Sequence, residues 1–524
     1  MESVLFGVKW GLAACLGVVA TEQVLKHYSS GARYALIHPW LAFAILPVFL
    51  VVQRKHFWLK NERIHGCKPP PVYPHTDPVL GSDWYFTMTK ATKNKNILET
   101  WDSDFKTVGQ TFWHQAMGAW ILMTNEPENL KVILATGFEE WPIGGTRKKS
   151  LELTLGPHAI FSVNGPEWQA GRALIRPCFV RNQIADLECQ DRHVERFLNV
   201  IPRDGSAVDI QRLFYLLTMD SATDFMLGSS TDTLVSPSQE ALDFAAAFDY
   251  SILASATRAR LGWAAYIIPE KKFANSITTC KRFIDRYVEK SMGRDKMTER
   301  PYVFLDEILK TGASRELVRD QLLAIIIGGR DTSASTMTSL FWMLARRPDV
   351  VKKLRAEIEE LQGRKPTWDD LKGMKYLAMV LKETLRLWPP VTTNLRVAAK
   401  DTTLPRGGGP DGKAPVFVPK GMPVRWSLHS FHRRQESFGP DADQFRPERW
   451  ENLRTSWEYI PFSGGPRICI GQQFAQTQMS YLIARMLQTF DLIQPADNHP
   501  MTQEYRSKPR EENNPAFNAE RAAF

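Results

Sequence analysis

One run of helical periodicity dominates the chain. From Ser314 to Arg347, 34 residues keep apolar side chains at helix spacing, and Pro348 ends the run. At 1.5 Å per residue such a helix reaches about 50 Å, longer than a small domain is wide. A helix of that length must cross the middle of a large body. Its centre, Ala324-Ile-Ile-Ile-Gly-Gly-Arg-Asp-Thr-Ser333, is apolar and then holds two adjacent glycines, a charge pair and a threonine. Each interior glycine costs about 1 kcal/mol against alanine. Gly328 and Gly329 therefore imply a close approach to this backbone, by another helix or by a bound group.

Helical spacing recurs at Glu188 to Val200, Leu213 to Leu227, Ile277 to Lys290, Pro348 to Gln362, Leu371 to Trp388 and Gly471 to Thr489. Strand-like runs are short: Ala119 to Thr124, Val391 to Ala398, Val416 to Val418 and Pro423 to Ser427. The expected fold is mainly α with small β-sheets. At 524 residues, 44% of them hydrophobic and 23% charged, the chain buries a sizeable core and is neither disordered nor a polytopic membrane protein.

The net charge of +9 is unevenly spread. Residues 1–68 carry eight basic and three acidic side chains, so over half of the excess sits there and nucleic-acid binding is not indicated. Ala35 to Val52 gives 18 positions without a formal charge. As a helix they reach about 27 Å, near the thickness of a hydrocarbon core. Arg54, Lys55, His56, Lys60 and Arg63 follow, a basic flank that would stay cytosolic. Residues 1–67 thus read as an N-terminal membrane anchor, with a helix at about 35–52 and a second apolar segment at about 10–21. A cleaved signal peptide fits less well, because the longer apolar run comes late. Residues 68–79, opening Lys68-Pro-Pro-Pro-Val-Tyr-Pro, read as a stiff extended linker, and 80–524 as one large domain.

The six cysteines lie far apart with no C-x-x-C pair, which excludes a disulfide framework and a zinc finger. Cys469 has particular surroundings: Phe462-Ser-Gly-Gly-Pro-Arg-Ile-Cys-Ile-Gly471, just before a helical run. Amides at a helix start favour a thiolate, and glycines let a backbone approach a flat group closely. From the residues alone Cys469 is a buried thiol or a hydrolase nucleophile with one of eleven histidines as base.

This segment resembles the haem-binding loop F-x-x-G-x-R-x-C-x-G of the cytochrome P-450 superfamily. Five fixed positions arise by chance in roughly one chain of this length in several thousand. Lys382-Glu-Thr-Leu-Arg386 resembles the family's E-x-x-R motif, and Phe445-Arg-Pro-Glu-Arg-Trp450 its P-E-R-F segment. The resemblance implies a cytochrome P-450 fold after the anchor, with haem b on Cys469, in which Glu383, Arg386 and Arg449 form a buried structural triad. It implies haem contacts from Phe462, Arg467 and Gly471, from Trp168 and Arg172 of Trp168-Gln-Ala-Gly-Arg172, and from Arg396 in Asn394-Leu-Arg396. Gly171 departs from the pattern, since many relatives carry histidine there. Gly328-Gly-Arg-Asp-Thr332 resembles A/G-G-x-D/E-T, whose glycines open a groove for dioxygen and whose acid and alcohol, here Asp331 and Thr332, relay protons.

Leu404 to Gly421, with Gly439-Pro-Asp-Ala and Gly-Arg-Asp-Thr, resembles fungal microsomal alkane and fatty-acid hydroxylases. Gly407-Gly-Gly-Pro-Asp-Gly-Lys413 nearly reads as a phosphate-binding loop, but Ala414 lacks the hydroxyl for magnesium and Pro415 opens a strand. No G-x-G-x-x-G follows a strand, so electrons must come from a separate protein. The resemblance implies NADPH–cytochrome reductase as partner, alone or with cytochrome b5, O2 and a lipophilic substrate, at the endoplasmic reticulum membrane with the catalytic domain facing the cytosol. The alternatives are oxidative tailoring of a polyketide or terpenoid, a haem-thiolate isomerase or dehydratase that needs no reductase, and a non-catalytic haem sensor.

Overall fold

The computed structural model describes residues 66–180, 185–261, 270–292 and 303–496. The expected anchor helices lie outside these residues, and among the described residues no helix is long and apolar enough to cross a membrane. The chain divides into two compact units, one ending at Gly145 and including Leu395–Ser427, the other formed by Thr146–Asn394 and the chain from Leu428 onward.

The first unit holds helices α1 (Ser82–Lys93) and α2 (Ile97–Val108) and most of the β structure. Strands β1 (Thr111–Ala116) and β2 (Ala119–Thr124) pair antiparallel in register from Thr111↔Thr124 to Ala116↔Ala119. Met117 and Gly118 turn the hairpin with φ of 48° and 81°, the left-handed pair whose twist suits two-residue hairpins. With β3 (Thr393–Val397) and β6 (Pro423–Ser427) they form a sheet in the order β1-β2-β6-β3, in which β2 and β6 run parallel. Strands β4 (Thr402–Gly408) and β5 (Ala414–Val418) make a separate antiparallel pair.

The proline-rich segment is extended, as its fixed φ angles dictate, and is bonded on both sides. Trp113 N donates to Pro71 O at 2.9 Å, Tyr73 N to Trp113 O at 2.8 Å, and Lys68 N to Pro415 O at 2.9 Å. The neighbouring glycines follow from this. A Cβ on Gly408 would lie 2.4 Å from Lys68 O, and one on Gly407 would lie 2.3 Å from Thr111 Cβ. Crowding by the Lys68 backbone at Gly408 and by the Thr111 side chain at Gly407, and not a phosphate, accounts for these two glycines.

The second unit is helical: α3 (Gly165–Ile175), α4 (Glu188–Val200), α5 (Ile210–Leu227), α6 (Gln239–Leu261), α7 (Lys271–Met292), α8 (Arg315–Leu344), α9 (Pro348–Glu359), α10 (Lys375–Leu387) and α11 (Gln472–Thr489). Helix α8 is the long one, at 30 residues. Ser314 Oγ caps it by accepting from Leu317 N, and it stops short of Arg347, where Pro348 forces the preceding backbone out of the helical region. The run expected as one helix from Leu371 to Trp388 breaks at Met374, whose ψ is 92°. The Glu357 carboxylate on α9 caps the new start, accepting from Tyr376 N at 2.8 Å and Leu377 N at 2.9 Å. Phe197, Phe214, Leu340, Phe341, Leu377, Trp388 and Ile483 share one core that joins α4, α5, α8, α10 and α11. Full burial of each such side chain contributes about 1.5–3 kcal/mol.

At the edge of this core Glu383 on α10 is wholly buried and accepts five hydrogen bonds. Its Oε1 takes Arg386 Nη2 at 2.8 Å, Arg449 Nε at 2.9 Å and Arg446 N at 2.9 Å; Oε2 takes Arg386 Nε at 2.9 Å and Trp450 Nε1 at 3.0 Å. The remaining guanidinium protons reach carbonyls: Arg386 bonds His432, Ala442 and Gln444, and Arg449 bonds Phe438, Asp441 and Gln444. Arg386 and Arg449, joined by Glu383 and with Asp441 also pairing to Arg449, therefore knot together the irregular segment 432–450. His432 carries the knot onward, its Nε2 accepting from Ile460 N at 3.0 Å, two residues before Phe462. Burial, with Arg386 and Arg433 alongside, pushes the His432 imidazole down to about 3.

Replacing Glu383 with Gln leaves buried Arg386 without its counter-charge and Arg449 with Asp441 alone, and is expected to cost about 3–5 kcal/mol of stability, read from the denaturation midpoint. The His432 ring stays neutral in the folded protein down to about pH 3, whereas in the unfolded chain it titrates near 6.5. The unfolded state therefore binds the extra proton as pH falls from about 6.5 toward 3, and stability drops by about 1.4 kcal/mol per pH unit for this group. The pH dependence of the melting midpoint between pH 7 and 5 should flatten by that amount in His432→Gln.

Candidate active site

The loop from Phe462 to Gly471 belongs to the second unit and leads into α11. Cys469 N donates to Phe462 O at 2.9 Å, which folds the loop back on itself. Ser463 and Gly465 take positive φ (66° and 64°), and a Cβ on Gly464 would lie 2.7 Å from the Trp457 ring. The glycine at 464 is thus required by an aromatic side chain and the one at 465 by the turn.

Cys469 has accessible surface, yet its thiol has many protein atoms around it. Burial pushes the thiol above its ordinary value; the Gly471 amide and the Arg172 charge pull the other way and do not prevail. Helix-start amides were expected to favour the thiolate, and they do act in that sense, but desolvation is the larger effect. A bound metal cation would supply the missing stabilisation.

Three arginines converge here. Arg172 and Arg467 both lie over the Trp168 ring, at 5.8 and 4.7 Å from its centroid. Arg467 donates to Val163 O at 2.5 Å and Asn164 Oδ1 at 3.1 Å, and burial together with Arg147 and Arg172 pushes its guanidinium down to about 10. Arg147, lowered by burial, donates to Asn394 Oδ1. The charges acting on Arg467 are thus other cations, an arrangement that suits an anionic group. Arg147 was not singled out from the sequence, because it lies outside any motif and joins the cluster only through the fold. The departure at Gly171 also has its physical reason: Gln321 Nε2 on α8 would lie 3.1 Å from a Cβ there. That amide donates to His158 O at 2.6 Å and its Oε1 accepts from Ile160 N at 3.2 Å, so Gln321 braces the loop before α3.

At the centre of α8, a Cβ on Gly328 would meet the Phe161 ring at 3.7 Å, and one on Gly329 would meet nothing within 4 Å. Close helix packing is therefore not why Gly329 is there. Thr332 Oγ1 donates to Gly328 O at 2.7 Å, leaving its lone pairs to accept. Asp331 Oδ1 accepts from Arg330 Nη1 at 2.9 Å, and the same nitrogen reaches Asp249 on α6 at 2.5 Å. Among the described residues no hydrogen bond joins Asp331 to Thr332. Burial raises the Asp331 carboxyl above the usual range, with Arg330 opposing and Asp249 adding to the rise. Asp249 was likewise missed, since 81 residues separate it from Arg330.

A coordinating thiol, a converging set of cations and a helix face cleared of side chains fit a flat, dianionic, metal-bearing group, which is what haem is. Trp168, Arg172, Phe462, Arg467, Cys469 and Gly471 lie in the second unit, as do Asp331, Thr332 and the Glu383–Arg386–Arg449 knot. Arg396 is on β3 in the first unit, where it lies 5.8 Å over Trp426 and donates to Leu395 O. A second constellation, Cys189, His193 and Asp224, joins α4 and α5. Its ligand atoms crowd within 4.8 Å of one another and both partners bond Asp224, which leaves no face for a macrocycle.

The family model for cytochrome P450 matches residues 78–513. The cytochrome P450 monooxygenase himC of Aspergillus japonicus is 41% identical over 451 residues, covering 84% of this chain and 81% of the relative. The monooxygenase fsdH of Fusarium heterosporum is 39% identical over 460 residues, covering 84% and 80%. Cytochrome P450 52A13 of Debaryomyces hansenii is 40% identical over 498 residues, covering 88% and 94%. The chain belongs to the cytochrome P450 family and is a haem-thiolate monooxygenase, an oxidoreductase that uses O2 and binds haem b through a cysteine thiolate.

Proposed function

We propose that this enzyme hydroxylates long aliphatic chains, alkanes or fatty acids, at the endoplasmic reticulum membrane, where residues 1–67 anchor it with the catalytic body in the cytosol. The observation that carries the substrate class is the face of α8. Ile325, Gly328, Gly329 and Thr332 follow one another at helix spacing on one side of α8, an apolar residue leading to two glycines beside Phe161. An apolar wall leading to a glycine step suits an unbranched chain end better than a polar or bulky ring. Similarity to 52A13 over 94% of that relative supports the reading, as does the Leu404 to Gly421 segment.

In this reading Cys469 would hold haem through its thiolate and Arg147, Arg172 and Arg467 would pair with its propionates, a role that the family pattern also implies for Arg396. When bound, haem supplies oxygen activation driven by thiolate electron donation, with electrons from NADPH–cytochrome reductase. The protein's own part is to deliver protons and exclude water. Asp331, its carboxyl raised by burial and bonded to Arg330, carries a proton to Thr332 when it turns toward that hydroxyl. Thr332, anchored to Gly328 O, accepts and passes that proton into the space beside Gly329.

In purified ferric enzyme, dodecane and lauric acid should each shift the Soret band from low to high spin. Silence with both, and a shift with a polycyclic natural product, would overturn the aliphatic reading in favour of metabolite tailoring. In the reconstituted system Thr332→Ala should keep its haem but divert NADPH electrons to hydrogen peroxide. Product formed in step with oxygen uptake in that variant would overturn the relay. Turnover without NADPH would point to an isomerase or dehydratase instead.

A further inference from the structure

Helices α4 and α5 bring together three side chains that haem chemistry does not use. Cys189 and His193 are one turn apart on α4 and so share a face. Asp224 reaches them from α5, its Oδ2 lying 3.4 Å from Cys189 Sγ and 2.9 Å from His193 Nε2. Arg192 Nη2 also donates to this oxygen, at 3.1 Å. Around a tetrahedral zinc ion, bonds of about 2.3 Å to sulfur and about 2.0–2.2 Å to nitrogen and oxygen put neighbouring ligand atoms about 3.4–3.6 Å apart. The Cys189–Asp224 spacing of 3.4 Å already matches that, and the His193–Asp224 contact of 2.9 Å would widen by about 0.5 Å around the ion.

We propose that Cys189, His193 and Asp224 form a zinc site that clamps α4 to α5, with a water or an added ligand in the fourth position. Thiolate plus imidazole is a donor set for zinc, where calcium and magnesium take oxygen alone. Thiolate and carboxylate together neutralise the ion's two charges, so a partly buried site becomes neutral overall. Arg192, half exposed, then turns to solvent, its role as counter-charge taken by the ion. His193 Nδ1 is buried and has no partner among the described residues, so nothing on that side of the ring selects a tautomer, and Nε2 serves equally as donor to Asp224 or as bare ligand. Asp224 keeps 18% of its side chain accessible and Cys189 is half-buried, which leaves a path for the ion. On binding, the S–H bond is exchanged for a Zn–S bond and the proton passes to buffer.

The test uses the untagged, haem-loaded full chain, freed of loose metal with a chelator and titrated calorimetrically with zinc sulfate. One zinc per chain should bind, and zinc K-edge absorption should show one sulfur neighbour at about 2.3 Å with nitrogen and oxygen neighbours at about 2.0 Å. Cys189→Ser and His193→Ala should lose stoichiometric binding. His193 is buried and its variant can fail to fold; Cys189→Ser, at a half-buried position, keeps the test decisive. An intact Soret band in each variant reports a folded haem protein, so failure of the zinc site and failure of the haem assignment are read separately. Absence of stoichiometric zinc, a shell without sulfur, or unchanged binding in Cys189→Ser would each overturn the proposal.

Discussion

A single carboxylate holds the irregular part of this structure in place. Glu383 has no contact with water and meets two guanidiniums, a main-chain amide and an indole at full hydrogen-bond strength. Burying three charges is expensive, and an isolated pair in such a place would often be matched by packed apolar residues. What apolar residues could not do is fix loop carbonyls. Arg386 and Arg449 spend their remaining protons on carbonyls between His432 and Gln444, so a segment with few regular elements acquires a defined path. From there the His432–Ile460 bond leads directly to the cysteine loop.

At the candidate active site the charges are unbalanced in sign. Arg147 and Arg172 raise the electrostatic cost of Arg467, and the Cys469 thiol is desolvated beyond what its amide and arginine neighbours compensate. Each group alone is destabilising. Together they are complementary to an anionic ring that carries a metal, which is how a protein stores affinity for a cofactor before the cofactor arrives.

Much of this was legible in the sequence. The helix Glu188–Val200 and the strands Ala119–Thr124 and Pro423–Ser427 match their periodic patterns to the residue, because each has one face against a core. Strand β1, Thr-Phe-Trp-His-Gln-Ala, was not foreseen: five consecutive buried residues leave no alternation to read. Helix α6 was missed as well, its alanines and scattered polar residues giving no clean stripe. Residues fixed by motif, among them Cys469, Glu383 and Arg386, could be named in advance. Glu357, Arg147 and Asp249 could not, since a cap, a cation cluster and an ion pair between distant segments leave no spacing to detect. The break at Met374 belongs to the same class, because the group that stabilises the new helix start comes from α9.

The docking of the proline-rich segment has a consequence for the sheet. In the order β1-β2-β6-β3 the outer side of β1 is an edge, and it is Val72 and its neighbours that cover it, through the bonds of Trp113 to Pro71 and Tyr73. Prolines cannot donate, so this cover pairs with β1 without offering a further ladder of its own. A chain shortened to start at Gly66 keeps its rim sealed. One shortened past Tyr73 bares a buried, tryptophan-bearing strand to any passing partner, and its behaviour in solution would be governed by self-association long before the haem site was affected.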